Sequence, residues 1–238
     1  LLILVAAAST VALMRFVHTE VSYGEIGHVF LLGLATAVRL AVLVALATLL
    51  WVPIGVWIGL HPRLSQRVQP VVVFLAAFPA NLVFPFVVSG IVAWRLNPEI
   101  WLSPLMILGT QWYILFNTIA GAAALPGDLK EAAASLGLRS WAGWRRLLLP
   151  AVFPAYVTGG LTASGGAWNA SVVAEVASWG ATTLSASGIG AYIAAQTAAG
   201  DEPRIALGVA VMSLYVVLLN RTVWERLYRL AQRRYQLV

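Results

Sequence analysis

Two ionisable residues interrupt apolar stretches long enough to cross a bilayer: Arg39 in Phe30–Leu60 and Glu175 in Pro150–Trp179. Charge at membrane depth is costly, and it marks either a pathway or a structural pair. Arg39 stands about ten residues into its stretch. It lines a pathway, or it sits near the outer headgroups behind a short interfacial helix over Val29–Ala37. Glu175 lies toward the outer end of its run. It gates a pathway, pairs with Arg39, or hydrogen-bonds the loop that follows. Gln111, Trp112 and Asn117 add polar groups to one run, and Trp168, Asn169 and Ser171 to another. Buried amides either bond neighbouring helices or face a polar solute. On the second reading the path residues are Gln111, Asn117, Trp168, Asn169, Glu175 and Arg39. Gly159, Gly160, Ala163, Ser164, Gly165 and Gly166 permit close helix packing nearby.

Other chemistries find less support. Ser187-Gly188 faintly resembles the serine motif of intramembrane proteases, but such a serine needs a general base, usually histidine. His18, His28 and His61 all precede it and fall in loops or at span edges. Cysteine is absent and no two histidines share a helix face, so no metal site is expected. No GxxxxGK[ST] loop exists, so this chain itself should bind no ATP and catalyse no hydrolysis. A proton-coupled carrier would want mid-span carboxylates and internal repeats; one Glu and no repeat argue against it. A secondary carrier that works without an ATPase nonetheless remains the alternative class.

The elements that must position these residues are helices. Hydrophobic residues make up 61% of the chain and charged ones 10%, against about 25% charged in soluble domains. Lipid admits only helices or closed barrels. Barrel strands would be about ten residues long and alternate in polarity. The apolar runs here are longer and continuous: Leu1–Val17, Phe30–Leu60, Val71–Trp94, Ile100–Leu125, Pro150–Trp179 and Ile205–Leu219. An all-α polytopic membrane protein of about six spans follows. No linker divides residues 1–238, which read as one domain. Asn97 should cap a helix opened by Pro98.

Between the fourth and fifth runs lies a polar island, residues 128–149. Asp128 with Glu131 suggests a capping box and a helix from Leu129. Gly137 should break that helix. A second helix from about Ser140 would put Trp141, Trp144 and Leu148 on one face. The fixed positions are Glu131-Ala132-Ala133, Gly137, Leu147 and Leu149-Pro150. This spacing resembles the EAA loop of ABC importer permeases, with Leu147 where Ile is commoner. Phe78-Pro79, Pro85, Asn117-Thr118, Gly121, Thr158-Gly159, Ala167-Trp168, Val173-Ala174-Glu175 and Gly188-Ile189-Gly190 extend the resemblance to the nitrate/sulfonate/taurine branch. The segment Trp179–Thr183 and the turn Arg95–Trp101 depart from that branch.

The resemblance implies the type I importer transmembrane fold and a subunit that passes a small anion such as nitrate, a sulfonate or taurine. It implies two cytoplasmic ABC ATPase subunits carrying ATP and Mg, a periplasmic solute-binding protein and a second permease domain. That second domain is expected as a copy, a homologue, or the other half of a longer fused permease, since the chain starts with Leu and shows no signal peptide. Glu131, Ala132, Ala133, Gly137, Leu147, Leu149 and Pro150 would then couple to the ATPase. The rival reading of the island is an interfacial helix anchored by Trp141 and Trp144.

Charge sets the orientation. With the island inside, Arg63, Arg67, Lys130, Arg139, Arg145, Arg146, Arg221, Arg226, Arg229, Arg233 and Arg234 are cytoplasmic, against Arg15, Arg95 and Arg204 outside. The positive-inside rule then puts both termini in the cytoplasm of a bacterial inner-membrane protein. The basic tail is expected to face anionic lipid and not nucleic acid.

Overall fold

The computed structural model describes residues 21–137 and 140–235. The first expected span, Leu1–Val17, lies outside them. Twelve α-helices, joined by short 3-10 and π turns, and one two-stranded hairpin make up the described chain. They are α1 Tyr23–Gly59, α2 Pro62–Ala77, α3 Phe84–Ala93, α4 Pro98–Trp101, α5 Leu105–Leu108, α6 Trp112–Ala123, α7 Gly127–Ser135, α8 Ser140–Gly143, α9 Leu149–Ala174, α10 Ile189–Ala199, α11 Glu202–Leu219 and α12 Glu225–Arg234. The hairpin strands are β1 Val176–Trp179 and β2 Thr182–Ser185.

Three continuous helices are long and apolar enough to cross a membrane: Tyr23–Gly59, Trp141–Ala174 and Glu202–Arg234. Two bent pairs bring the number to five: Pro62–Ala77 with Ala80–Ala93, broken by 79°, and Pro98–Leu108 with Trp112–Ala123, broken by 44°. The sharper break has a local cause. Phe78 precedes Pro79, whose ring disfavours the α conformation at its neighbour, and Phe78 is extended at φ −68° and ψ 132°.

The chain folds as two compact units, each assembled from three segments. One comprises, of the described residues, 21–39, Asn81–Met106 and Trp168–Val217. In it β1 packs on α3. Gly33 admits the Tyr215 ring to α1, and Gly208 admits Ile193 to α11. The Tyr215 hydroxyl donates to the Phe30 carbonyl at 2.9 Å. The other unit comprises, of the described residues, Leu40–Ala80, 107–137, 140–167 and 218–235. Its core gathers Ile58, Val72, Leu115 and Ile119, with α2 lying along α6. Gly55 and Gly59 let α1 approach α6, where an added Cβ would strike Thr118 and the Ile119 carbonyl.

Several expected boundaries shift. Val29–Ala37 is not a separate elbow but part of the unbroken α1. The fifth span ends at Ala174, not Trp179, because the chain turns there into a hairpin whose tight turn uses Gly180 at φ +59°. Helix α7 starts at Gly127, so Asp128 stands in its first turn and is not the cap. The Asn97 cap forms as expected, its Oδ1 accepting from the Glu99 N–H at 3.0 Å with Pro98 first in the helix.

Candidate functional site

Glu175 is one residue past the end of α9, and it is 1% exposed. A buried carboxylate must be matched by donors. Its Oε2 accepts from the Gly190 N–H at 2.8 Å and the Ala191 N–H at 3.1 Å, the free amides at the start of α10. Its Oε1 accepts from the Thr36 hydroxyl at 2.7 Å and from Arg39 Nη1 at 3.4 Å. Thr36 in turn accepts from the Ile189 N–H at 3.0 Å. The two glycines are required by space. A Cβ on Gly188 would overlap the Glu175 carboxylate, and one on Gly190 would overlap the Ser171 carbonyl.

Arg39 holds a second carboxylate as well. Its Nη2 bonds Glu99, and its Nη1 donates to the Ser187 carbonyl at 2.8 Å. Ser187 closes the ring, its N–H donating to Glu99 at 3.0 Å and its hydroxyl at 2.7 Å. Arg39 and Glu175, singled out from the sequence, are thus brought together. Thr36, Glu99 and Ser187 complete the cluster and were not anticipated as its members. One guanidinium facing two carboxylates leaves no net positive charge to attract an anion. Among the described residues Ser187 bonds Glu99 and not a histidine, so the arrangement reads as a clamp.

A second ionic cluster ties the start of α1 to the start of α11. Arg204 bonds Glu25 at 2.7 Å and Asp201 at 2.6 Å, and the Tyr192 hydroxyl donates to Glu25 at 3.0 Å. Arg204 holds the Asp201 carboxyl below its usual range. Burial, then the bond to Glu25, push the Tyr192 phenol up.

The remaining polar candidates differ in kind. Gln111 is engaged between helices, accepting from Trp51 Nε1 at 2.8 Å and donating to the Leu108 carbonyl at 3.3 Å. Asn117 donates to the Tyr113 carbonyl one turn back, at 2.8 Å. Trp168 is buried and stacks with Tyr215, its Nε1 without a partner among the described residues. Asn169 is exposed. Thr158, Thr162 and Gly165 are exposed too, at the four- and three-residue spacing that shares a helix face with Asn169. Each threonine hydroxyl donates to the carbonyl four residues back, at 3.3 and 2.9 Å. A Cβ added at Gly165 would meet nothing within 4 Å. The sequence reading took Gly165 only as a packing residue and did not consider Thr162; the polar spacing along an apolar helix was the available signal.

The described residues of the island lie in the second unit. Glu131 and Ala132 are exposed in the middle of α7, Ala133 is buried, and Leu136 is 77% exposed. Gly137 stands at φ +68°, the left-handed position that ends α7. Trp141 is 68% exposed on α8, and Trp144 half-buried. A π-helical turn over Trp144–Leu148 then carries the chain without interruption into α9. The turn has a cause: Pro150 has no N–H to return to the Arg146 carbonyl, and Leu149 N–H reaches back to Trp144. Leu147 is half-buried, Leu149 exposed and Pro150 half-buried at this junction.

Comparison with known proteins agrees with this anatomy. The family described as binding-protein-dependent transport system inner membrane component matches residues 51–236. The nitrate import permease protein NrtB of Leptolyngbya laminosa is 28% identical over 189 residues, covering 79% of this chain and 64% of that protein. The bicarbonate transport system permease protein CmpB of Synechococcus elongatus is 26% identical over 190 residues, 80% of this chain and 65% of the relative. The corresponding CmpB of a Synechocystis species is 29% identical over 145 residues, 60% and 50% of the two chains. The chain therefore spans less than two thirds of the length of these relatives. With the match running through the island and every helix from the last quarter of α1 to α12, the chain belongs to the binding-protein-dependent transport system inner membrane components, the permeases of ABC importers.

Proposed function

We propose that this chain is the transmembrane subunit of an ATP-driven importer for a small planar anion. The relatives named for nitrate and bicarbonate support that class of solute. Both compact units serve one transmembrane domain in a bacterial inner membrane, with both termini in the cytoplasm. A second permease domain completes the path, a periplasmic binding protein delivers the solute, and two ATPase subunits with bound ATP and Mg drive it.

One observation carries the reading: the exposed helix α7 ends at the left-handed Gly137, and the helical run from Trp141 to Ala174 is uninterrupted. A partner that grips Glu131, Ala132 and Trp141 moves α9 with it, because no loop intervenes between α8 and the span. The exposed face of Thr158, Thr162, Gly165 and Asn169 turns toward the second permease domain and lines the path. There hydroxyl and amide groups bind an anion weakly enough to release it. Arg39 and Glu175 frame the outer end and do not touch the solute.

The test replaces Gly137 by Leu in the assembled importer. A side chain at φ +68° is strained, while the space around it is open. The variant should insert normally yet lose solute-stimulated ATP hydrolysis. Unchanged stimulation would remove the island from the coupling route.

A further inference from the structure

At the foot of the last long helix the backbone widens into a π turn over Asn220–Trp224. Such turns are rare and concentrate at functional positions. Here the turn opens a groove of about 280 Å³, lined by Leu161, Asn220, Arg221, Trp224, Glu225 and Tyr228. The Trp224 ring lies over Gly160, where any Cβ would strike it, so α9 supplies the floor. The groove has an apolar end at Leu161 and Trp224 and a polar mouth at Asn220 and Arg221. Its height is set by the sequence. The apolar run ends at Leu219, and Asn220 and Arg221 follow at once, where hydrocarbon gives way to headgroups.

Charge surrounds it. Over residues 220–234 there are five arginines, Arg221, Arg226, Arg229, Arg233 and Arg234, and one acid, Glu225. Glu225 faces Arg229 at 3.8 Å. Arg221 has no ion pair among the described residues. All five arginines are exposed.

We propose that this groove binds an anionic phospholipid of the cytoplasmic leaflet, the headgroup phosphate on Arg221 and Asn220 and the upper acyl chain on Leu161 and Trp224. Trp and Tyr suit such a level because each joins an apolar body to a polar tip. An acidic protein face would satisfy the arginines of α12 but would not need the apolar floor. The assignment rests on the membrane-spanning reading with the basic side inward. Its test reads lipid, whereas coupling is read by ATP hydrolysis, so the two fail separately.

The full chain is reconstituted in a phosphatidylcholine bilayer with a minority of phosphatidylglycerol, extracted in mild detergent and weighed by native mass spectrometry. The wild type should retain phosphatidylglycerol well above its share of the bilayer. Arg221→Gln should lower that enrichment about fivefold, one arginine's worth at an anionic surface, and Arg221→Lys should keep most of it. Leu161→Trp fills the groove without touching a charge and should lose the bound lipid too. Arg63→Gln, at the foot of α2, should change nothing. Lipids retained in the input ratio by the wild type would overturn the proposal. So would enrichment that survives both Arg221→Gln and Leu161→Trp. If Arg226→Gln with Arg229→Gln releases the ATPase while the lipid ratio stays fixed in every variant, the surface belongs to a protein instead.

Discussion

Glu175 concentrates more of the structure in one side chain than any other residue described. Its two oxygens accept from two backbone amides, one hydroxyl and one guanidinium. Glu175→Gln keeps the shape but must turn an amide N–H toward one of those donors. The expected cost is about 1–3 kcal/mol, the penalty for a buried group left unmatched. Glu175→Ala strands all of the donors, and breaking a buried pair costs about 3–5 kcal/mol. Thermal unfolding of the purified chain in mild detergent should therefore rank wild type, Gln and Ala in falling order. Equal midpoints would mean that the clamp is not under load. The pairing of Arg39 with Glu175 was legible as one of a few alternatives, because an intramembrane charge needs a partner. Glu99 and Ser187 were not. They come from the four-residue helix α4 and the segment after the hairpin, and neither hydrophobic pattern nor spacing says that these two meet.

Among elements, α9 has two faces with opposite tolerance. Gly159 is pressed against α6, where a Cβ would strike the Tyr113 carbonyl, while Gly165 opens on free space. Gly159→Phe should fail to give a monodisperse protein, since backbone cannot yield as a side-chain tip can. Gly165→Phe should fold and assemble normally and yet block solute uptake in proteoliposomes, if its face lines the path. Full uptake by a folded Gly165→Phe importer would move the path to another helix. The existence of α9 follows from hydropathy alone, as do α1 and α11. The hairpin Val176–Ser185 and helix α10 do not. The first is four residues a side, and the second is 11 residues of mostly small apolar side chains, too short to register as a span. The break at Phe78-Pro79 was legible in principle, because proline acts on the residue before it. Its 79° bend was not, since the angle depends on what each half packs against.

For the whole molecule, orientation is the property on which the other proposals depend. The proposed orientation rests on the arginine and lysine asymmetry, which would keep α7, α8 and α12 in the cytoplasm. The chain contains no cysteine, so single cysteines can report their side without background. Ser178 on β1, Ser135 at the end of α7 and Gln232 on α12 are all exposed. A membrane-impermeant maleimide applied to spheroplasts should label Ser178→Cys and spare Ser135→Cys and Gln232→Cys. Disrupting the membrane should make all three react. Labelling of Ser135→Cys from outside would invert the chain. The island would then face away from any cytoplasmic ATPase, and the Asn220–Trp224 groove would face the outer leaflet. The charge count makes that outcome expensive. Translocating Lys130, Arg139, Arg145 and Arg146 together with the four arginines of α12 would carry eight of the 15 lysines and arginines against the bias that orients membrane helices.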